Sequence, residues 1–472
     1  MGERVALPLA TNFTARSNQT AYDAKIVNGW IVPDENGTMY VEKRPGLVHD
    51  ATVSAGASAG AGCGCYYWDE AQAIYSAWGN ALYRNSINLT VPGSWGPQPY
   101  VWFTELDSYL YAFTGNELYR IDTSNNVVEV TDADYPGNVT TSMAYGAITI
   151  DGYVLVCTQA GLLHNSVVND GTSWVATDYV SAEMESDGAV ALVKHHNHAV
   201  VLGRRTTEFF ANAALPTGSP FVRREDITAN TGCASWKSIA TYGDLCFFVA
   251  VDNNGEPYVA VLENFQIQRI STTAIERKLD VTSFADQATG CCIISQGKLL
   301  YILDGLYAYD VEQKIWYEWQ RNSATSNEDN RFKALFFAGG VRRGGSRSMI
   351  QFSNAAYYLD PTKTVDDDTS STTQTIEFEV WTPKYTGPQG TGNLTKFLSN
   401  MGILGDHSTE SVTVYYSDDD YASWTSFGTL IVHPKYRLVG LGSFYERAFK
   451  VVFTAGARLR VRALELEIEV GS

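Results

Sequence analysis

Gly115-Asn116-Glu117-Leu118-Tyr119-Arg120-Ile121-Asp122 is the fullest copy of a phrase that recurs along this chain: a turn residue, two or three small or polar residues, then an apolar and aromatic pair running toward an acid. It returns as Gly79-Asn80-Ala81-Leu82-Tyr83, Asp304-Gly305-Leu306-Tyr307-Ala308-Tyr309-Asp310 and Ser353-Asn354-Ala355-Ala356-Tyr357-Tyr358-Leu359-Asp360. Looser copies at Gly161-Leu162-Leu163-His164, Thr207-Glu208-Phe209-Phe210 and Gly255-Glu256-Pro257-Tyr258-Val259 fill the gaps. The marker residue therefore steps from 83 to 357 in six intervals with a mean of about 46 residues, a period that belongs to four-stranded propeller blades.

Burial explains why such a phrase should repeat. A four-stranded sheet cannot cover both its faces alone, so blades packed around an axis each supply a layer of a shared core. A turn followed by an apolar and aromatic strand is one way to write an inner strand. Between the markers lie Tyr153–Cys157, Ala199–Leu202, Leu245–Val251 and Lys298–Leu303, short β-branched or aromatic runs that read as strands buried on both faces. A β-sandwich or an irregular all-β domain also places short strands at such spacings. The period favours an all-β chain with a β-propeller of six or seven blades, with one strand drawn from elsewhere in the chain able to close the circle.

The expected organisation has four parts. Residues 1–60 form an N-terminal arm with the first strands and an Ala/Gly/Ser linker near 53–62. The β-propeller takes 61–365, a polar linker 366–374, and a C-terminal β domain 375–472. Within the last, Thr375–Trp381, Ser411–Tyr416 and Ala448–Phe453 alternate with period 2, as half-exposed antiparallel strands of a small β-sandwich do. In the final run the apolar positions are odd up to Ala463 and even from Leu464 onward. A period-2 strand cannot change faces without an extra residue, which predicts a bulge near Ala463-Leu464.

Composition excludes several functional classes. The 28 Tyr, 20 Phe and 11 Trp supply a large core, and 34 Lys and Arg against 52 Asp and Glu give a formal charge of −18. A protein that grips nucleic-acid phosphates needs a basic face, which this balance argues against. No window approaches the roughly 20 apolar residues of a membrane span, and the start lacks a signal-peptide core, so maturation in the cytoplasm is expected. The seven cysteines lie at 63, 65, 157, 233, 246, 291 and 292 without the paired spacing of a zinc site. His195-His196-Asn197-His198 has no carboxylate at ligand spacing and reads as the solvated start of a strand. Asp366 to Asp368 and Asp418 to Asp420 lack the spaced ligands of a calcium loop and read as solvated turns. No catalytic, cofactor or metal residues are assigned.

The order of several segments carries a resemblance. Lys43-Arg44-Pro45-Gly46-Leu47 is followed by Thr206-Thr207-Glu208-Phe209-Phe210-Ala211, then by Gln268 to Arg277, the turn Ser417-Asp418-Asp419, Val439-Gly440 and Phe449-Lys450-Val451. From about residue 25 to the C-terminus the chain resembles the tail-nozzle, or packaged-DNA stabilisation, proteins of short-tailed bacteriophages (podoviruses). The resemblance implies a non-enzymatic virion structural protein, a tail hub at the head–tail connection. It would assemble in the host cytoplasm as a ring, usually a hexamer, below the portal and its adaptor ring. It would extend the DNA channel, retain packaged DNA and let it pass at ejection without sequence-specific binding, and it would contact tail spikes, fibres or a plug protein.

The charge balance suits such a role in two ways that stay open: acidic residues lining a channel past which DNA slides, or an acidic surface that keeps an assembly subunit soluble. Basic clusters then become candidates for subunit contacts, namely Arg204, Arg205, Arg223, Arg224, Arg342, Arg343 and Arg347. The segments 322–330, 339–347 and 382–392 are candidate docking loops. The competing class is a glycan- or receptor-binding propeller, less favourably a sialidase-like one, because Ser417-Asp418-Asp419-Asp420-Tyr421-Ala422-Ser423-Trp424 resembles the sialidase Asp-box with Tyr421 in place of Gly. That box is a structural turn, and one copy outside the repeats assigns no chemistry.

Overall fold

A computed structural model describes residues 3–10, 24–50, 60–93, 95, 100–140, 142–280, 287–320, 332, 334–339, 349–352, 355–369, 372–388 and 390–471. Among the described residues seven antiparallel units follow one another, each of four strands except the fifth, whose inner position is split into the two pieces Gly232–Cys233 and Ala240–Tyr242. The recurring phrase is the third strand of every unit: Ala81–Arg84, Leu118–Ile121, Leu162–Val167, Thr207–Asn212, Pro257–Glu263, Tyr307–Asp310 and Ala356–Asp360. It is flanked on both sides but is not the strand at the axis. The runs between the markers are the second strands, Tyr153–Thr158, His198–Gly203, Leu245–Val251 and Lys298–Leu303, and these are buried along nearly their whole length.

The hydrophobic layers show that the units close into a circle. Trp68 and Tyr75 of the first blade pack with Phe103 and Tyr119 of the second, and Tyr111 and Phe113 with Val154 and Trp174 of the third. Ile148 and Leu155 meet Leu192 and Phe210 of the fourth, whose other face joins Val200 and Phe209 to Phe248 and Ala260 of the fifth. Phe247 and Val259 meet Tyr301 and Trp316 of the sixth. Ile302 and Tyr317 then adjoin Ile350 and Tyr357 of the seventh. Ile74 and Trp78 of the first blade finally pack against Met349 and Ala356 of the seventh, which completes the ring of blades. That seventh blade has Phe336–Ala338, Met349–Gln351 and Ala356–Asp360 from late in the chain, and its fourth strand is Gly46–His49 from the N-terminal arm.

The remaining strands build a sandwich to which both ends of the chain contribute. One sheet runs Gly29–Pro33, Met39–Lys43, Arg460–Val470, Lys396–Gly405 and Leu438–Val439, with Glu3–Pro8 also paired to Arg460–Val470. The other runs Lys25–Val27, Phe378–Trp381, Ala448–Phe453, Ser411–Ser417 and Thr425–Ile431, and continues the sixth blade because Val27 pairs with Glu318. One core spans the sandwich and the blade edge, joining Trp30, Phe378, Phe449 and Leu466 to Ile302, Tyr317 and Trp319. The expected bulge in the last strand is present: Leu404 pairs with Ala463 but Gly405 with Val461, so Arg462 is the extra residue. There the strand changes partners, from Met39–Lys43 before the bulge to Glu3–Pro8 after it.

Blade spacing at the axis depends on backbone contact. At Gly146, with φ +110°, an added Cβ would lie 2.2 Å from the Leu192 carbonyl oxygen of the next blade. Among the described residues no helix is long and apolar enough to cross a membrane. Replacement Gly146→Val must open this seam, and overpacking of that kind costs about 1–3 kcal/mol before backbone strain is added. A clearly lowered midpoint in chemical denaturation is the expected result.

Candidate functional site

Two places concentrate the unusual side chains, the axis of the propeller and its junction with the sandwich. At the axis, Tyr100 before the second blade, Tyr145 on the inner strand of the third and Trp236 between the two inner pieces of the fifth converge. The Tyr145 and Trp236 rings stack with centroids 4.0 Å apart, and Tyr100 lies 4.5 Å from Trp236 and 5.0 Å from Tyr145. Rings from non-neighbouring blades thus meet across the axis. Beside them is a cavity of about 620 Å³ lined by Tyr66, Phe103, Thr241, Cys291 and Phe337 from the inner strands of the first, second, fifth, sixth and seventh blades.

This cavity is chemically quiet. Burial pushes the thiols of Cys65, Cys291 and Cys292 well above their ordinary value, which disfavours the thiolate that nucleophilic or metal chemistry needs. Among the described residues no group of three His, Cys, Asp or Glu side chains could hold a metal ion. His195 is not solvated as the sequence suggested. It is buried, its Nε2 accepts from the Phe265 amide at 3.0 Å, and burial lowers its pKa.

The junction is organised by Arg44, which is 1% exposed. Its Nε donates to Asn28 Oδ1 at 3.1 Å, Nη1 to the Pro45 carbonyl at 3.1 Å and Asp366 Oδ1 at 2.8 Å, and Nη2 to the Gln320 carbonyl at 3.0 Å and Asp366 Oδ2 at 2.5 Å. The five bonds match the five donors of a guanidinium. Asp366 in turn accepts from the Leu47 amide at 2.9 Å, and the planar cation lies over the Phe332 ring at 5.0 Å. Asp366, read from the sequence as part of a solvated turn, is buried in the strand Val365–Thr369, which pairs with Thr372–Thr375. The acidic run hid this, because nothing local marks which of three consecutive aspartates turns inward. Arg44 was visible only as part of a resemblance.

Of the candidate contact residues, the structure places four on the fourth blade. Arg204 and Arg205 are exposed in the turn before Thr207–Asn212, and neither has an ion pair among the described residues. Arg223 is instead paired with Glu208 at 3.3 Å and Glu225 at 3.4 Å, and Arg224 with Asp226 at 2.8 Å. Arg342, Arg343 and Arg347, the segment 322–330, most of 339–347 and most of the 53–62 linker lie outside the described residues. The Asp-box-like turn is locally satisfied. Hydrogen bonds from Ser423 and Ser417 hold the Asp419 carboxyl at about 2, Asp418 pairs with Arg447 at 2.7 Å, and Asp420 with Lys384.

Fold and sites define a closed β-propeller fused to a β-sandwich, with three packed aromatic rings beside a cavity at the axis and no assembled reaction centre among the described residues. The family model described as Bacteriophage P22 Gp10, beta-propeller matches residues 6–319, about two thirds of the chain, and the chain belongs to this family of phage tail-associated stabilisation proteins. No curated protein sequence matches it. Solved structures similar to it include the N-terminal domain of Nup159, at 10% identity and TM-score 0.40, over 70% of this chain and 97% of that one. The WD40 domain of Neurospora crassa Pan2 matches at 10% identity and TM-score 0.41, over 67% and 94%. The extracellular domain of a putative one component system, BT4673, from B. thetaiotaomicron matches at 10% and 0.41, over 92% and 62%. Likenesses at this level carry no argument about function.

Two predictions arise at the junction. Arg44→Met leaves the Asp366 charge buried and unpaired, a change that costs about 3–5 kcal/mol, whereas pairing it with Asp366→Leu costs less; denaturation midpoints of the single and double variants check this. Burial beside Arg44 lowers the Lys43 pKa to about 8. The unfolded chain therefore binds the extra proton between pH 8 and about 10.5, and the Lys43 contribution to stability rises with pH across that window. Melting curves of wild type and Lys43→Met should diverge in slope there and run parallel below pH 7.

Proposed function

We propose that this chain is the nozzle subunit of a short-tailed phage. Copies form a ring, a hexamer in this reading, beneath the portal and adaptor ring. The ring extends their DNA channel, retains the packaged genome and lets it pass at ejection. Spikes, fibres or a plug protein dock on it, and assembly takes place in the host cytoplasm. The observation that carries the proposal is the family match over residues 6–319.

The closed axis supports one part of it. A cavity of about 620 Å³ is the size of a small-molecule pocket. A duplex whose major groove alone is about 12 Å wide cannot thread it. A conduit made from this chain therefore has to lie between copies. The net charge of −18 suits a wall that DNA passes without gripping. Arg204 and Arg205, whose guanidinium groups have no ion pair among the described residues, are the better candidates for contacts between subunits. Arg223 and Arg224 are already neutralised within their own blade.

Electron microscopy of the particle containing the protein tests this reading. The expected result is an axial ring under the portal with acidic side chains along its bore. A bore lined by basic side chains would sink the sliding wall, and a monomer that hydrolyses a sialoside would overturn the structural role altogether.

A further inference from the structure

The C-terminal sandwich turns two faces outward, and each carries an incomplete surface. On the sheet that continues the sixth blade, Lys25 pairs across strands with Trp381, Trp381 with Lys450, and Lys450 with Tyr415. Direct cross-strand neighbours share a face, so the four side chains form one half-exposed row over four strands. Trp424 leans onto it, its ring 5.0 Å from that of Trp381. The Lys25 ammonium is neutralised by Glu318 at 2.9 Å. That of Lys450 is not: it lies 4.8 Å from the Tyr415 ring, 5.2 Å from Trp424 and 5.3 Å from Trp381, with no carboxylate partner among the described residues.

The opposite sheet presents the converse. Leu464, Leu466 and Ile468 point into the core, so Glu465, Glu467 and Glu469 point outward. Glu465 is paired with Arg437 and Glu467 with Arg4, whereas Glu469 is exposed and without a cationic partner among the described residues. Its cross-strand neighbour is Phe397, 49% exposed, and Val439 on the same face is 74% exposed. Large apolar side chains left this open, rimmed by charge, mark contact surfaces.

We propose that these two faces are the halves of one contact between copies of this chain, the Trp381, Trp424 and Tyr415 surface around Lys450 receiving the Phe397 and Val439 surface around Glu469 of the next copy. The occupant follows from complementarity: among the described residues one face has a cation without an ion pair among aromatic rings, the same-face carboxylate of Glu379 accepting instead from the Trp381 indole at 2.6 Å, and the other has a carboxylate without an ion pair among apolar side chains. Because the faces lie on opposite sides of one sandwich, the contact is heterologous and repeats head to tail until rotation closes it. A ring is the product, so the inference rests on the ring reading of the preceding section and adds its interface.

The test is a charge exchange, with rings counted by electron microscopy in particles assembled from each variant. Lys450→Glu and Glu469→Lys each place like charges in the contact and should lower ring yield on the order of tenfold or more. The double variant restores an opposite pair and should return ring yield close to wild type. Unchanged melting of each single variant as an isolated chain separates lost assembly from lost folding. Undiminished rings in both single variants, or failure of the double variant to recover, would overturn the interface. Intact rings with loss of particle adsorption in Lys450→Glu would assign the face to a receptor and overturn it equally. Wild-type particles with no ring would remove the ring reading itself.

Discussion

Closure is the constraint on which the rest of this structure depends. Seven sheets in sequence leave two uncovered faces unless the last meets the first, and here the faces of the first and seventh blades pack together while Gly46–His49, from the chain before the first blade, becomes the outer strand of the seventh and ties the two ends. The buried ion pair of Arg44 and Asp366 stands at the start of that strand, and Asp366 also accepts the Leu47 amide within it. A pair with every guanidinium donor satisfied recovers the desolvation that an unsatisfied buried charge would impose. It fixes the closing strand to blade six, through the Gln320 carbonyl, and to the hairpin that leads into the sandwich.

The same crossing makes propeller and sandwich one mechanical unit. Lys25–Val27 extends blade six into the sandwich sheet, Gly46–His49 completes blade seven, and the segment between them supplies two strands of the opposite sheet. A single hydrophobic core runs through the junction. Force applied to the sandwich is therefore carried into the blades through paired strands and packed side chains. That is a property a subunit of a tail assembly can use. At the axis, Tyr100, Tyr145 and Trp236 pack on one another beside a cavity of about 620 Å³.

Much of the fold was legible because propellers write their period into the chain. The third strands carry the turn and an apolar run, with an aromatic residue in every blade but the third, and the second strands read as doubly buried runs. The parity change in the last strand revealed its bulge to within two residues, because alternation is a local property of the backbone. The phrase writes an interior strand flanked on both sides, two places from the strand at the axis, since aromatic content reports burial and not distance from an axis. The partnerships of charged groups were illegible for a related reason. Arg223 and Arg224 look like free cations and are paired with acids two and fifteen residues away, whereas His195 and Asp366 look solvated and are buried.

The amino-acid order by itself determined the all-β class of fold, the number of repeated phrases and the alternation of the last hundred residues. Each of these is written in short-range pattern: period, alternation and turn chemistry. Only the tertiary structure decided which strand closes the circle, which aromatic rings meet at the axis, and that Lys450 and Glu469 face outward on opposite sides of one domain without ion-pair partners among the described residues. Those facts depend on contacts between residues hundreds of positions apart, such as Arg44 with Asp366 and Gly46 with Asp360. Neighbouring residues place no restriction on such pairs, so only the folded chain defines them.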